Sequence, residues 1–273
     1  MDALRVLLVQ LAPEPHDVAA NLDVALRLIA DHPDADLVVL PELWLQGYTL
    51  PGIDAIALDP DDEPVHRLRA AAAAHGTAVV VGLAERLEGA PPANAVLCID
   101  RDGALAGAYR KVNLFGPEEV EHFTRGDRYT VVRLCGLRMG LLICFDLEFP
   151  EPARALAVAG AEVLVTVSAN MTPYQREHEL FARSRAAENR RPLVYVNRVG
   201  VESGLTFVGR SCIVDAGGEV VADLGDAARV ELVAVPLGAP PPPDYLGERR
   251  PDVPAVPWEA QRPPSRARAG GEP

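Results

Sequence analysis

Three side chains capable of covalent chemistry stand directly after apolar runs. Glu42 ends Leu37-Val38-Val39-Leu40-Pro41-Glu42, Lys111 ends Gly107-Ala108-Tyr109-Arg110-Lys111, and Cys144 follows Met139-Gly140-Leu141-Leu142-Ile143. A thiolate is a nucleophile, and a neighbouring cation favours its ionised form. A carboxylate takes the thiol proton and returns it to a leaving amine. An ammonium stabilises an oxyanion. In α/β sheets, ligands gather outside the carboxyl ends of strands, so these three residues compose a candidate nucleophilic site. On spacing alone each has a plainer reading. A Cys after a buried strand is commonly a small core residue, Glu42 can serve as a helix N-cap, and Lys111 as a solvated strand end.

The elements that must position them are legible as periodic runs. Leu4–Leu11, Asp36–Leu40 and Thr77–Leu83 read as buried strands, Asp17–Ala30 and His66–His75 as helices. Asn94–Asp100 and Gly107–Lys111 flank a turn at Arg101-Asp102-Gly103 and read as a hairpin. The second half repeats the rhythm, with strands at Met139–Cys144, Glu162–Val167, Leu193–Asn197 and Val230–Val235, and helices at Glu151–Ala159 and Tyr174–Asn189. Ser211–Asp215 and Val220–Asp223 bracket Gly217-Gly218 as a second hairpin. Alternating strands and helices predict an α/β fold, and the hairpins make its sheets mixed. One domain is expected over residues 1–237. Residues 238–273 form a proline-rich arm, with a four-proline run at Pro240–Pro243 and ten of the 25 prolines after residue 238.

Composition narrows the function. The chain has 273 residues, 49% of them hydrophobic, and a net charge of −13. That length and apolar content support a sizeable core and exclude a disordered chain. The acidic balance argues against nucleic-acid binding, and the absence of a run of about 18 apolar residues argues against a membrane partner. The N-terminus carries no signal-peptide pattern, so a cytoplasmic protein is expected. Cys98, Cys135, Cys144 and Cys212 include no CxxC pair, so neither a disulfide framework nor a zinc site is indicated. Cys98, Cys135 and Cys212 read as structural residues of apolar strands. No GxSxG is present, and Gly82 and Gly140 are isolated, so a serine triad and a phosphate loop are not indicated.

The local sequences around the three residues resemble the nitrilase superfamily of carbon–nitrogen hydrolases, over Val6 to Val235. Pro41-Glu42-Leu43-Trp44 with Gly47-Tyr48 looks like its glutamate motif, and Tyr109-Arg110-Lys111-Val112-Asn113-Leu114-Phe115-Gly116 like its lysine motif. Leu142-Ile143-Cys144-Phe145-Asp146-Leu147-Glu148-Phe149-Pro150-Glu151 looks like its nucleophile motif. The order and separations are similar too. Ser168–Tyr174, Ala182–Asn189 and Gly209–Val214 resemble the amidase branch, which includes 5-aminopentanamidases and (R)-amidases. The sequence departs from the resemblance at two positions: Asn113 stands where many members carry His, and Arg210 where Gln is frequent.

The resemblance implies a four-layer αββα sandwich with two mixed β-sheets, dimerising or building larger homo-oligomers, sometimes through the C-terminal arm. It implies Cys144 as nucleophile, Glu42 as general base, Lys111 and the Phe145 N–H as oxyanion stabilisers, and a further acid at Glu119, with Glu118 as neighbouring competitor. No metal and no cofactor is implied. Tyr48 and Asn170 are candidate substrate-binding residues; their plainer readings are a packed tyrosine and a loop amide capping its own backbone. The expected reaction is hydrolysis of a small aliphatic or amino-acid amide to acid and ammonia through a thioester. A nitrilase or N-carbamoyl amino-acid hydrolase using the same three residues is the alternative, and a catalytically silent binding protein the alternative of another class.

Overall fold

A computed structural model describes residues 3–239 and 241–251. In the first half, strand β1 (Ala3–Gln10) leads to helix α1 (Val18–Asp31), β2 (Leu37–Val39), α2 (Glu63–His75), β3 (Ala78–Glu85), β4 (Ala93–Ile99), β5 (Leu105–Arg110) and the short α3 (Gly116–His122). Asp17 caps α1 by accepting from the Ala20 N–H at 2.9 Å. Gly76, at φ +64°, ends α2 in the left-handed region that glycine tolerates. The second half runs β6 (Val131–Leu134), β7 (Leu137–Ile143), α4 (Pro150–Val158), β8 (Val163–Ser168), α5 (Gln175–Asn189), β9 (Leu193–Asn197), β10 (Val199–Glu202), β11 (Leu205–Val208), β12 (Cys212–Val214), β13 (Val220–Asp223) and β14 (Arg229–Pro236).

These strands form two six-stranded sheets, β14-β1-β2-β3-β4-β5 and β13-β12-β9-β8-β7-β6. The centres, β1-β2-β3 and β7-β8-β9, are parallel, and the flanks antiparallel. Both sheets are mixed, as expected. β14 returns to pair with β1 over its full length, from Ala3↔Pro236 to Gln10↔Arg229, so the end of the second half closes the first sheet.

The period of two along each strand divides the core. Leu4, Val6 and Leu8 face inward and meet Leu141, Ile143 and Val165 of the other sheet. Leu7 and Val9 face outward under α1 and α2. On the other side, α4 and α5 cover Leu142 and Leu164. The result is the αββα sandwich. Each fully buried Val, Leu or Ile side chain contributes about 1.5–3 kcal/mol.

Four elements were not anticipated: β6, α3, and the separate hairpin β10–β11. One expectation is corrected. Cys135 does not lie in a strand; it occupies the β6–β7 turn at φ +54°, its Sγ donating to the Asp36 carbonyl at 3.3 Å. The beginning of the proline-rich arm packs on the domain: Arg190 Nε donates to the Pro243 carbonyl at 3.1 Å, and its guanidinium lies 4.3 Å from the Tyr245 ring. The expectations for residues 252–273 of the arm lie outside the described residues.

Candidate active site

Glu42, Lys111 and Cys144 each follow a strand, and the sandwich brings two strands of one sheet and one of the other to a common end. Pro41 stops β2, and the chain turns across β3 at Gly82. A Cβ on Gly82 would stand 2.3 Å from the Pro41 carbonyl oxygen and 2.7 Å from the Glu42 Cα, so only glycine lets this loop pass. Trp44 and Gln46 fasten it: the Trp44 indole donates to the Asn21 carbonyl at 3.1 Å, and Gln46 Oε1 accepts from the Ala84 N–H at 3.0 Å. The lysine segment is held at its backbone. The Lys111 N–H donates to the Asn94 carbonyl and its carbonyl accepts from the Gly126 N–H, both at 2.8 Å.

Lys111 is fully buried between two carboxylates. Its Nζ donates to Glu42 Oε1 at 2.7 Å and to Glu119 Oε1 at 2.8 Å. Glu42 also accepts from Asn94 Nδ2 and from the Ala169 N–H, each at 2.7 Å. Glu119 takes a bond from the Tyr48 hydroxyl and another from the Phe115 N–H at 2.8 Å. Glu118, its competitor in the sequence, is exposed. Burial pushes the Glu42 carboxyl up, opposed by Lys111 and reinforced by Glu119. Burial alone would lower the Lys111 amine, but Glu119 and Glu42 outweigh it and keep the amine protonated.

Cys144 opens a 3-10 turn over Cys144–Glu148 at φ +44°, a left-handed conformation costly for a residue with a Cβ. Asp146 holds that turn. Its Oδ2 accepts from the Ile143 N–H at 3.0 Å and the Tyr109 hydroxyl at 2.7 Å. Its Oδ1 accepts from the Asn113 N–H and Nδ2 at 3.0 and 2.9 Å. One carboxylate thus ties the cysteine turn to the lysine loop, and Asn113 is one of its partners. Burial and the Glu42 charge push the Cys144 thiol well up, while the Lys111 charge acts against them. Burial pushes Cys212 up to about 12 and Cys135 up to about 11. Cys144 differs from these in facing a fully buried ammonium paired with two buried carboxylates, whereas Cys135 faces the part-exposed Arg101.

A cleft of about 350 Å³ opens beside this cluster, lined by Leu50, Phe115, Met171, Tyr174 and Leu205, with Glu118 among its walls and Tyr48 and Glu119 shared with the cluster. Phe145 stacks edge-on against Phe115, ring centroids 5.3 Å apart. Asn170 is not among the residues lining the cleft. Its Nδ2 donates to the Tyr174 carbonyl at 3.2 Å, and its N–H to Asn197 Oδ1 at 2.8 Å. Sequence reasoning gave no role to Asn94, Asp146 or Tyr109. The polar Asn94 inside an apolar strand was the available signal for the first, and the two-residue spacing from Cys144 for Asp146.

A carboxylate–ammonium–carboxylate cluster beside a thiol on a strained turn, in a four-layer αββα sandwich, defines a cysteine hydrolase of the carbon–nitrogen type. The carbon–nitrogen hydrolase family matches residues 5–239, and the chain belongs to it. It is 41% identical over 258 residues to an (R)-stereoselective amidase from a Pseudomonas species, covering 90% of this chain and 92% of that one. It is 40% identical over 225 residues to a "Hydrolase in pqqF 5'region" of Pseudomonas protegens, covering 81% and 79%. Among solved structures, an amidase from Nesterenkonia sp. superposes with a TM-score of 0.83 at 31% identity, covering 92% of this chain and 95% of that one. A variant of that amidase was solved with the acetamide moiety of fluoroacetamide added covalently at its active-site cysteine.

Proposed function

We propose that the protein is an amidase that hydrolyses the C–N bond of small carboxamides, with Cys144 as nucleophile. Glu42 accepts the Sγ proton, and the thiolate attacks the carbonyl carbon. Two of the three Lys111 N–H bonds go to Glu42 and Glu119, which leaves the third for the developing oxyanion. The Phe145 N–H is the second donor in this reading. The tetrahedral intermediate collapses as the C–N bond breaks, and the proton on Glu42 leaves with the nitrogen as ammonia. A thioester remains on Cys144. Glu42 then takes a proton from water, whose oxygen displaces the thiol and releases the carboxylic acid. Glu119 holds the ammonium in place and, with Tyr48, borders the substrate.

The observation that carries this reading is the buried Glu42–Lys111–Glu119 array facing a thiol that burial keeps protonated. A protonated thiol needs a base, and the raised Glu42 carboxyl is matched to that task. The covalent adduct of the Nesterenkonia amidase supports the thiol route. The aliphatic and aromatic cleft, with acidic Glu118 on its rim, favours neutral or cationic acyl groups over anionic ones.

Ammonia release and product analysis with a panel of amides, nitriles and N-carbamoyl compounds tests the reading. Acid and ammonia from an amide are expected. Turnover confined to nitriles, or amine and carbon dioxide from a carbamoyl group, would replace it. We also propose a cytoplasmic, homo-oligomeric enzyme. The four unpaired cysteines fit a reducing compartment, and the exposed Leu180 on α5 and Val220 on β13 fit burial between copies. Light scattering on the purified chain reads the oligomer directly.

A further inference from the structure

Arg198 and Glu202 form an ion pair that the proposed mechanism does not use. Both side chains are almost wholly buried, and Arg198 Nη1 faces Glu202 Oε2. The contact is an ion pair and not an aligned hydrogen bond, and Arg198 Nε has no hydrogen-bond partner among the described residues. A buried pair so incompletely satisfied adds little stability over an apolar pair of the same shape. Its position gives it another use. Arg198 directly precedes β10 and Glu202 ends it. The two-residue turn Ser203-Gly204, at φ +49° and +79°, then sends the chain back as β11.

Strand β11 reaches the cleft. Its period of two puts Leu205 and Phe207 on one face. Leu205 is half-buried and forms part of the cleft wall with Leu50 and Met171. Phe207 is buried and meets Tyr48 edge-on, ring centroids 5.6 Å apart. The ion pair holds both residues. Glu202 is the cross-strand partner of Leu205. Its Oε1 accepts from the hydroxyl of Thr49, the residue after Tyr48, at 2.8 Å. Gly47 leaves room for that approach, since a Cβ there would stand 2.9 Å from Glu202 Oε1. The Arg198 guanidinium lies over the Phe207 ring, 4.1 Å from its centroid. The far edge of β11 is tied to the segment after β8. The Thr172 N–H donates to the Thr206 carbonyl at 2.9 Å, and the Val208 N–H to the Asn170 carbonyl at 3.2 Å.

We propose that hairpin β10–β11 decides which acyl groups the cleft admits, with Leu205 as the specificity-determining wall and Arg198, Glu202 and Thr49 as positioning residues that fix Leu205 relative to Tyr48. The inference rests on the reading of the cleft as the acyl site of a Cys144 amidase. Tyr48 and Glu119 belong to both the cleft and the charged cluster, so the carboxamide sits at their end. Leu205 belongs to the cleft alone, and its companions Leu50 and Met171 are apolar. It therefore meets the hydrocarbon part of the acyl group. A wall clamped by a buried ion pair yields little, so it discriminates by the length of that hydrocarbon.

The test is kcat/KM of the full chain for propanamide and for hexanamide. Leu205→Ala is expected to raise the hexanamide-to-propanamide ratio about tenfold, and Leu205→Trp to lower it about tenfold, both chiefly through KM. Thr49→Val removes the hydroxyl that Glu202 holds at nearly constant shape. It is expected to raise the ratio about threefold, the size of a lost hydrogen bond, and Thr49→Ser to restore it. Folded Leu205 variants that both keep the wild-type ratio overturn the wall. Thr49→Val with the wild-type ratio, even at a lowered melting temperature, overturns the positioning role. Alkylation of Cys144 by 2-bromopropanamide and 2-bromohexanamide, followed by mass spectrometry, reads the same ratio without turnover. Leu205 variants that shift the alkylation ratio in a chain inactive on every amide support the wall while contradicting the proposed function. A chain neither active on amides nor alkylated at Cys144 overturns both.

Discussion

The two sheets contribute to the site in different ways. The first supplies charge: Glu42 after β2 and Lys111 after β5, with Glu119 eight residues beyond the lysine, all in direct contact. The second supplies Cys144, the nucleophile of the proposed mechanism, on a short 3-10 turn. The acid two residues on, Asp146, is occupied in holding that turn. The charged side is a permanently paired array that burial makes strong. On the thiol side burial holds Cys144 protonated, and in the proposed mechanism the charged array removes that proton. In the proposed mechanism, activation of this thiol therefore depends on the packing of one sheet against the other.

The largest expected effect comes from breaking the charged side. Lys111→Met leaves Glu42 and Glu119 buried without a counter-ion, a loss of about 3–5 kcal/mol of stability. Chemical denaturation measures it, and ammonia release should vanish with it. Next is Gly82→Ala, which does not alter any reacting group. Its Cβ would drive the Pro41 carbonyl from a 2.3 Å approach, moving Glu42 relative to Cys144. Displacement of this kind costs about 10²-fold in rate, and kcat should fall by that amount with the melting temperature affected less.

A smaller and pH-dependent effect sharpens the same comparison. The Glu42 carboxyl is raised above the ordinary carboxylate value of about 4.3. The base is active when deprotonated, so kcat/KM is expected to fall as pH drops through the raised value, on an acid limb above pH 4.3. A limb at the ordinary carboxylate value would mean that Glu42 is not the base. The smallest effect belongs to Glu118 on the cleft rim. Glu118→Gln should reduce the preference for a cationic over a neutral amide by less than about 1 kcal/mol, as for exposed charge pairs, read from the ratio of kcat/KM values at low salt.

The legible parts of the molecule were local. The central strands announced themselves as short apolar runs, and α1 through its apolar stripe and Asp17 cap. Strand β6 is four residues long and carries Arg133, and α3 spans seven residues with few apolar positions, so neither has a period to detect. Hairpin β10–β11 did carry a turn signal in Ser203-Gly204, both at positive φ, but it belongs to neither main sheet. Its place is set by Phe207 against Tyr48, a contact 159 positions apart in the chain. The site divides similarly. Glu42, Lys111 and Cys144 sit in contiguous motifs. Asn94 and Asp146 become meaningful only through their partners, Glu42 and Tyr109. Cys135 was misassigned because its turn interrupts what reads as one apolar run.

The most direct measurement is ammonia release from a small aliphatic amide by wild type and by Cys144→Ala, both shown to be folded. Loss of about 10⁴-fold or more in the variant is the expected result, as for removal of a covalent nucleophile. Turnover within tenfold of wild type in Cys144→Ala would contradict the account, because the charged array of the first sheet would then be acting without the thiol of the second.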